Sequence, residues 1–290
     1  MMKLINATEG TLRKRLLHRL AATATALLFA TVNAQADPAD KIAVGACQVQ
    51  MMSAGSGPYT VIFESGFGTD LRTWRKVAPE VAKLARVLTY SRAGYGGSDA
   101  RPEARTLLQS SIELDQLIAA TGARPPFILV GHSYGGLLAR AFAARHPDWV
   151  AGMVLVDPSD ERFSPALRNI DAARVDQDDR TFATIVPAKF QPELAALKPV
   201  LDSGVFPIAG KLPDVPVVVI SAMHTVEKPE FFLETAPARA VLFGLHDDFA
   251  KGFRHGRHVV AERSGHNIQL EEPQLVIDAV QQVIVQAGKR

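Results

Sequence analysis

The chain is 290 residues long, 47% hydrophobic and 21% charged, with a formal charge of +2. Those proportions exclude a disordered chain, a collagen-like repeat and a coiled coil, while the length suits one large α/β domain or two small ones. The charge is too mild for a nucleic-acid surface, because the only dense basic run, Arg13-Lys14-Arg15 with Arg19, lies at the N-terminus.

That run opens the first expected element. Residues 3–19 carry five Lys or Arg and one Glu, Leu20 to Val32 is uncharged, and Ala34-Gln35-Ala36 follows. A basic start, an apolar middle and a small-residue cleavage site describe a secretory signal peptide over residues 1–36. The apolar stretch is about 13 residues, short of the roughly 20 that span a bilayer as a helix, so cleavage after Ala36 is expected rather than a stable membrane anchor. A periplasmic or secreted location follows from this reading. The competing one is an amphipathic N-terminal helix of a cytosolic protein. Cleavage leaves 254 residues with 27 basic and 29 acidic side chains. The basicity therefore belongs to the signal and implies nothing about acidic partners. Val44-Gly45-Ala46-Cys47 looks like a lipoprotein box, but Asp37, Asp40 and Lys41 separate it from the apolar run. Cys47 is the sole cysteine, which excludes an intrachain disulfide and a cysteine metal cluster.

Short apolar runs then alternate with helical patterns. The runs are Tyr59 to Glu64, Val87 to Tyr90, Phe127 to Val130, Met153 to Val156, Val215 to Ser221 and His258 to Ala261; Trp74 to Ala85, Leu107 to Thr121 and Leu137 to His146 suit helices. Apolar runs without polar alternation mark strands buried on both faces, and alternation with helices implies an α/β class with a mostly parallel, doubly wound sheet. The pattern breaks between Ser159 and Pro213, which holds Pro165, Pro187, Pro192, Pro199 and Pro207 and the charged run 176–180. An insertion of short helices and loops is expected there, forming a lid at about 159–213 on a single domain of residues 37–290.

The chemistry concentrates at Phe127-Ile-Leu-Val-Gly131-His132-Ser133-Tyr134-Gly135-Gly136-Leu137. A buried strand, then G-x-S-x-G, then a helix is the context that gives the motif meaning. Side chains at Gly131 and Gly135 would collide with neighbouring backbone in so sharp a turn. The turn pushes Ser133 into solvent at the carboxyl edge of the sheet, with the amides of the new helix facing any developing negative charge. A glycine-rich turn holding a buried, inert serine is the alternative.

On these residues the chain resembles the α/β-hydrolases, in their serine-nucleophile, esterase-like branch, from about residue 49 to 285. Further segments agree. Phe63-Glu64-Ser65-Gly66-Phe67-Gly68 stands at the family's oxyanion loop, so the resemblance implies that the Phe67 and Tyr134 amides form the oxyanion hole. Tyr90-Ser91-Arg92-Ala93-Gly94-Tyr95-Gly96-Gly97-Ser98 resembles the glycine-rich loop after the fourth strand. Glu262-Arg263-Ser264-Gly265-His266-Asn267-Ile268 stands where the family carries its catalytic histidine, which makes His266 the base that activates Ser133. For the orienting acid the family offers two positions. Asp157 follows the sixth strand and is taken here, with Glu227, after the seventh, as the alternative.

The expected reaction is acyl transfer on a carboxylic ester through an acyl-enzyme, with no cofactor and no metal. A serine nucleophile argues against the dehalogenase and epoxide-hydrolase branches, which displace at carbon with a carboxylate. Tyr95, Phe163 and Phe182 are the expected substrate-binding residues, in a pocket for a small-molecule ester with an apolar portion; packing of the lid is the plainer role for the two phenylalanines. A serine peptidase or amidase on small peptides and a non-catalytic hydrolase-fold binding protein remain as alternatives. His224, His246, His255 and His258 read as surface residues or weak metal ligands.

Overall fold

The computed structural model describes residues 40–289, so the expected signal peptide lies outside the described residues. Eight strands form one sheet: β1 (Asp40–Val44), β2 (Cys47–Ala54), β3 (Thr60–Glu64), β4 (Arg86–Tyr90), β5 (Phe127–His132), β6 (Val150–Val156), β7 (Val217–Ala222) and β8 (Gly256–Ala261). Their order in space is β1-β2-β4-β3-β5-β6-β7-β8, antiparallel at β1/β2 and β2/β4 and parallel from there to β8.

The strand period of two divides the apolar residues between two cores. Ile62, Leu129, Leu155 and Val219 point to one face, where α2 (Leu107–Thr121) and α3 (Tyr134–Arg145) cover them with Leu114, Leu117 and Phe142. Val61, Phe63, Val130, Val156 and Ile220 point to the other, under Trp74 and α8 (Pro273–Ala287) with its Val276, Val280 and Val283. Both faces being covered is why these strands appear as uninterrupted apolar runs.

Three expectations are corrected. The apolar runs do not announce β1, which is exposed along most of its length and buries only Val44, or β2, which buries only Val49 and Met51. The expected helix from Trp74 to Ala85 is a 3₁₀ turn, Leu71–Trp74, followed by the short α1 (Ala78–Val81). Pro79 has no N–H to donate and fits only in a first turn, so the helix starts around it instead of running through it. The segment 159–213 is also more helical than its prolines suggested. It contains α4 (Phe163–Ile185), 23 residues broken once at Asp171 (φ −150°, ψ 86°), and α5 (Gln191–Ser203). Pro165 and Pro192 each fall in a first turn, where proline costs no hydrogen bond. The remaining helices are α6 (Ala236–Lys251) and the single turn α7 (Ile268–Glu271).

Candidate active site

β5 ends at His132 and α3 begins at Tyr134, so one residue reverses the chain. Ser133 does so at φ 53°, ψ −123°, a conformation that costs of order 1–3 kcal/mol in a non-glycine residue. The turn closes because its flanks lack side chains: a Cβ on Gly131 would lie 2.4 Å from the Gly135 carbonyl oxygen, and one on Gly135 would lie 2.3 Å from that of Glu64. The backbone is then pinned on both sides. Ser133 N donates to Val156 O at 3.1 Å, and Ser133 O accepts from Gly136 N at 2.8 Å and Ser159 N at 3.0 Å. Ser133 itself is half-buried at the N-terminus of α3. Among the described residues, the amides of Tyr134 and Phe67 have no hydrogen-bond partner.

Asp157 follows β6 directly and also adopts a positive φ, 40°. Its side chain is wholly buried, and every polar contact on it stabilises the anion. Oδ2 accepts from His266 Nδ1 at 2.6 Å and from Arg239 Nη1 at 3.0 Å, while Oδ1 accepts from Ala222 N at 3.1 Å. Burial alone would raise its pKa, but the His266 hydrogen bond and the charges of His266 and Arg239 outweigh it and hold the carboxyl well below its usual range. Asp157 is therefore the carboxylate on His266. Glu227 is exposed and is not brought to the histidine.

His266 lies in the loop between β8 and α7. The ring of His132, the residue before Ser133, packs 4.7 Å from the His266 ring, and its Nε2 donates to the His266 carbonyl at 2.9 Å. Burial and the nearby His266 push the His132 pKa down to about 3, so it stays neutral as a donor. His266 is thereby fastened to the elbow at its backbone and to Asp157 at Nδ1, which leaves Nε2 for a hydroxyl.

Beside the elbow Phe67, in the loop after β3, meets the insertion. Its ring centroid lies 6.2 Å from Phe182 and 6.1 Å from Phe190, and Tyr95 stacks on Phe190 at 4.6 Å. These four rings pack together where the insertion meets that loop. Phe163 is elsewhere. It packs with Leu167, Val175, Phe232 and Ala238, a cluster that fastens α4 to α6, which is the packing role rather than the pocket role. Tyr134 is 1% exposed, its ring 5.3 Å from the Arg92 guanidinium.

Two of the histidines read as surface groups are interior. Ser221 Oγ lies 2.6 Å from His246 Nδ1 and 2.7 Å from His258 Nε2, and His258 Nδ1 lies 3.4 Å from Asp247 Oδ1. His246 Nε2 donates to the Pro158 carbonyl at 2.8 Å, next to Asp157. No local motif marks this group, since its members come from β7, β8 and α6. Arg239, equally, is one charged residue on an amphipathic helix until the fold turns it onto Asp157. His224 and His255 are exposed.

The strained serine and the buried aspartate both lie within a segment that matches a known family. Residues 59–200 match the family model described as alpha/beta hydrolase fold. The chain belongs to the α/β-hydrolase superfamily. The uncharacterized protein YqjL of Bacillus subtilis is 28% identical over 234 residues, 79% of this chain and 85% of that protein. A 2-hydroxymuconate semialdehyde hydrolase of Pseudomonas sp. is 32% identical over 136 residues, 46% of this chain and 47% of its own length. Among solved structures, a thermophilic esterase from Thermogutta terrifontis superposes with a TM-score of 0.59 at 19% identity, covering 87% of this chain and 99% of that one. What the chain shares with these proteins is the α/β-hydrolase fold, and the hydrolases among them support hydrolytic activity.

Proposed function

We propose that this α/β-hydrolase is an exported serine hydrolase that cleaves carboxylic esters through an acyl-enzyme. The observation that carries the reading is the 2.6 Å hydrogen bond from His266 Nδ1 to the buried Asp157, next to a serine held in a strained conformation at a helix N-terminus. Ser133 Oγ attacks the ester carbonyl carbon while His266 Nε2 takes its proton. The oxyanion accepts hydrogen bonds from the Phe67 and Tyr134 amides. His266 then returns the proton to the departing alcohol, deprotonates a water that attacks the acyl group, and gives that proton back to Ser133 as the acid leaves. Asp157 holds the tautomer in which Nε2 is free to do this and stabilises the imidazolium. Tyr95, Phe67, Phe182 and Phe190 supply an apolar surface for the acyl or alcohol portion.

A serine-directed fluorophosphonate tests the assignment directly. The wild-type protein is expected to label and Ser133→Ala to remain unlabelled; an unlabelled wild type would exclude a serine nucleophile. Hydrolysis of p-nitrophenyl butyrate set against an amino-acid p-nitroanilide separates esterase from peptidase or amidase. The export reading is supported by the composition of residues 1–36. N-terminal sequencing of protein recovered from the periplasm or medium is expected to begin at Asp37.

A further inference from the structure

Among the insertion's polar contacts with the scaffold, one buried carboxylate, which also lies 3.6 Å from Arg105 Nη2, reaches the glycine-rich loop. Glu193, in the first turn of α5, is 2% exposed, and it faces Arg92 and Tyr95 of the glycine-rich loop. The Arg92 Nε atom lies 3.5 Å from Glu193 Oε1, and the Tyr95 hydroxyl donates to Glu193 Oε2. Both partners continue inward to the oxyanion loop, on either side of Phe67. Arg92 Nη1 donates to Ser65 O at 2.5 Å and Nη2 donates to Gly66 O at 2.9 Å, while Gly68 N donates to the Tyr95 hydroxyl at 3.3 Å.

The geometry of one peptide unit makes this consequential. Gly66 C=O and Phe67 N–H belong to the same planar trans peptide and point in opposite directions, so an anchor on the carbonyl sets where the amide aims. Arg92 is the charged part of that anchor, beside Thr69, whose Oγ1 and N donate to the same oxygen at 3.1 and 3.4 Å. The planar fork of Arg92 reaches two successive carbonyls from two different nitrogens, a fixed geometry that the single nitrogen of a lysine ammonium does not reproduce. Arg92 is 4% exposed and the Tyr134 ring, on the other oxyanion residue, lies against its guanidinium.

We propose that Glu193 and Arg92 are positioning residues that set the Phe67 amide for oxyanion binding, so that seating of the lid is coupled to transition-state stabilisation. The proposal rests on the serine-hydrolase reading. Glu193 holds Arg92 and Tyr95 in place; they hold the carbonyl before Phe67 and the amide after it. A lid that shifts α5 away removes the carboxylate from both arms together.

The test uses the full chain with p-nitrophenyl butyrate as substrate and phenylboronic acid, which forms a tetrahedral adduct with an active serine, as inhibitor. For Arg92→Lys, kcat is expected to fall about 100-fold, the scale of losing one oxyanion donor, with KM changed less than about threefold and boronic acid affinity falling in step with kcat. Glu193→Gln, close to isosteric, is expected to lower kcat about tenfold in the same pattern and stands alone if Arg92→Lys does not fold. A purely structural role would lower the melting temperature and leave kcat of the folded protein within twofold, which would overturn the coupling. Fluorophosphonate labelling of the wild type at Ser133 keeps the two readings apart. Labelling with unchanged variant kcat overturns the coupling alone, and failure of the wild type to label overturns both.

Discussion

The molecule holds two serine, histidine and aspartate groupings, Ser133 with His266 and Asp157, and Ser221 with His258 and Asp247. They differ in what surrounds the hydroxyl. Ser221 sits in a regular strand at 1% exposure with an imidazole on each side, so its one proton and one of its lone pairs are already used. Its aspartate is part-exposed, 3.4 Å from the histidine, and engaged by Lys251. Ser133 is half-buried and turned out past the end of β5 by a positive φ, with amides at Phe67 and Tyr134 that have no partner among the described residues and a fully buried acid 2.6 Å from the histidine. The three residue types do not make a nucleophile. Access, unsatisfied donors and a desolvated anion behind the imidazole do.

Replacing each serine breaks this comparison most sharply. Ser133→Ala is expected to cost roughly 10⁴-fold or more in kcat on p-nitrophenyl butyrate, and Ser221→Ala less than about threefold. Equal losses with both proteins folded would refute the distinction. Next come the acids. Asp157→Asn is expected to lower turnover about 10⁴-fold, because the amide imposes the wrong tautomer on His266, whereas exposed Glu227→Gln leaves it within about twofold. If neither exceeds tenfold, neither is the orienting acid.

At the second grouping the effect moves to stability. Ser221→Ala leaves His246 Nδ1 and His258 Nε2 without their shared partner, a loss of about 2 kcal/mol, or roughly 4–8 °C in melting temperature for a domain of this size. The smallest effect is on pH dependence. Burial lowers the pKa of both His246 and His258 from 6.5, so below that pH the unfolded chain takes up protons that the folded protein refuses. Their contribution to stability is complete above about pH 6.5 and declines as the pH falls. Melting curves between pH 5 and 7.5 should show that decline, and His246→Gln should flatten it.

How much of this was legible depends on where the partners lie. Ser133, His266 and Asp157 each follow a strand, at its carboxyl end, within a short local pattern, and the sheet brings strand ends together. Arg92 stood inside a glycine-rich motif in which the glycines drew the reading. Glu193 and Arg239 are single charges on helices, indistinguishable in sequence from solvated ones, and become interior only when α5 and α6 pack. Phe163 and Phe182 lie on one helix, yet only Phe182 reaches Phe67, because they stand near opposite ends of α4, roughly 28 Å apart along a straight axis.

The sequence by itself determined the α/β class, the order of the six parallel strands' apolar runs and the elbow. Those depend on periodicity and on turns that admit only glycine, which are local. Tertiary structure alone decided which carboxylate meets His266, which histidines are interior and which charges meet the Ser65 and Gly66 carbonyls. Each of those is a contact between segments far apart in the chain, and its energy comes from burial that no short stretch of sequence records.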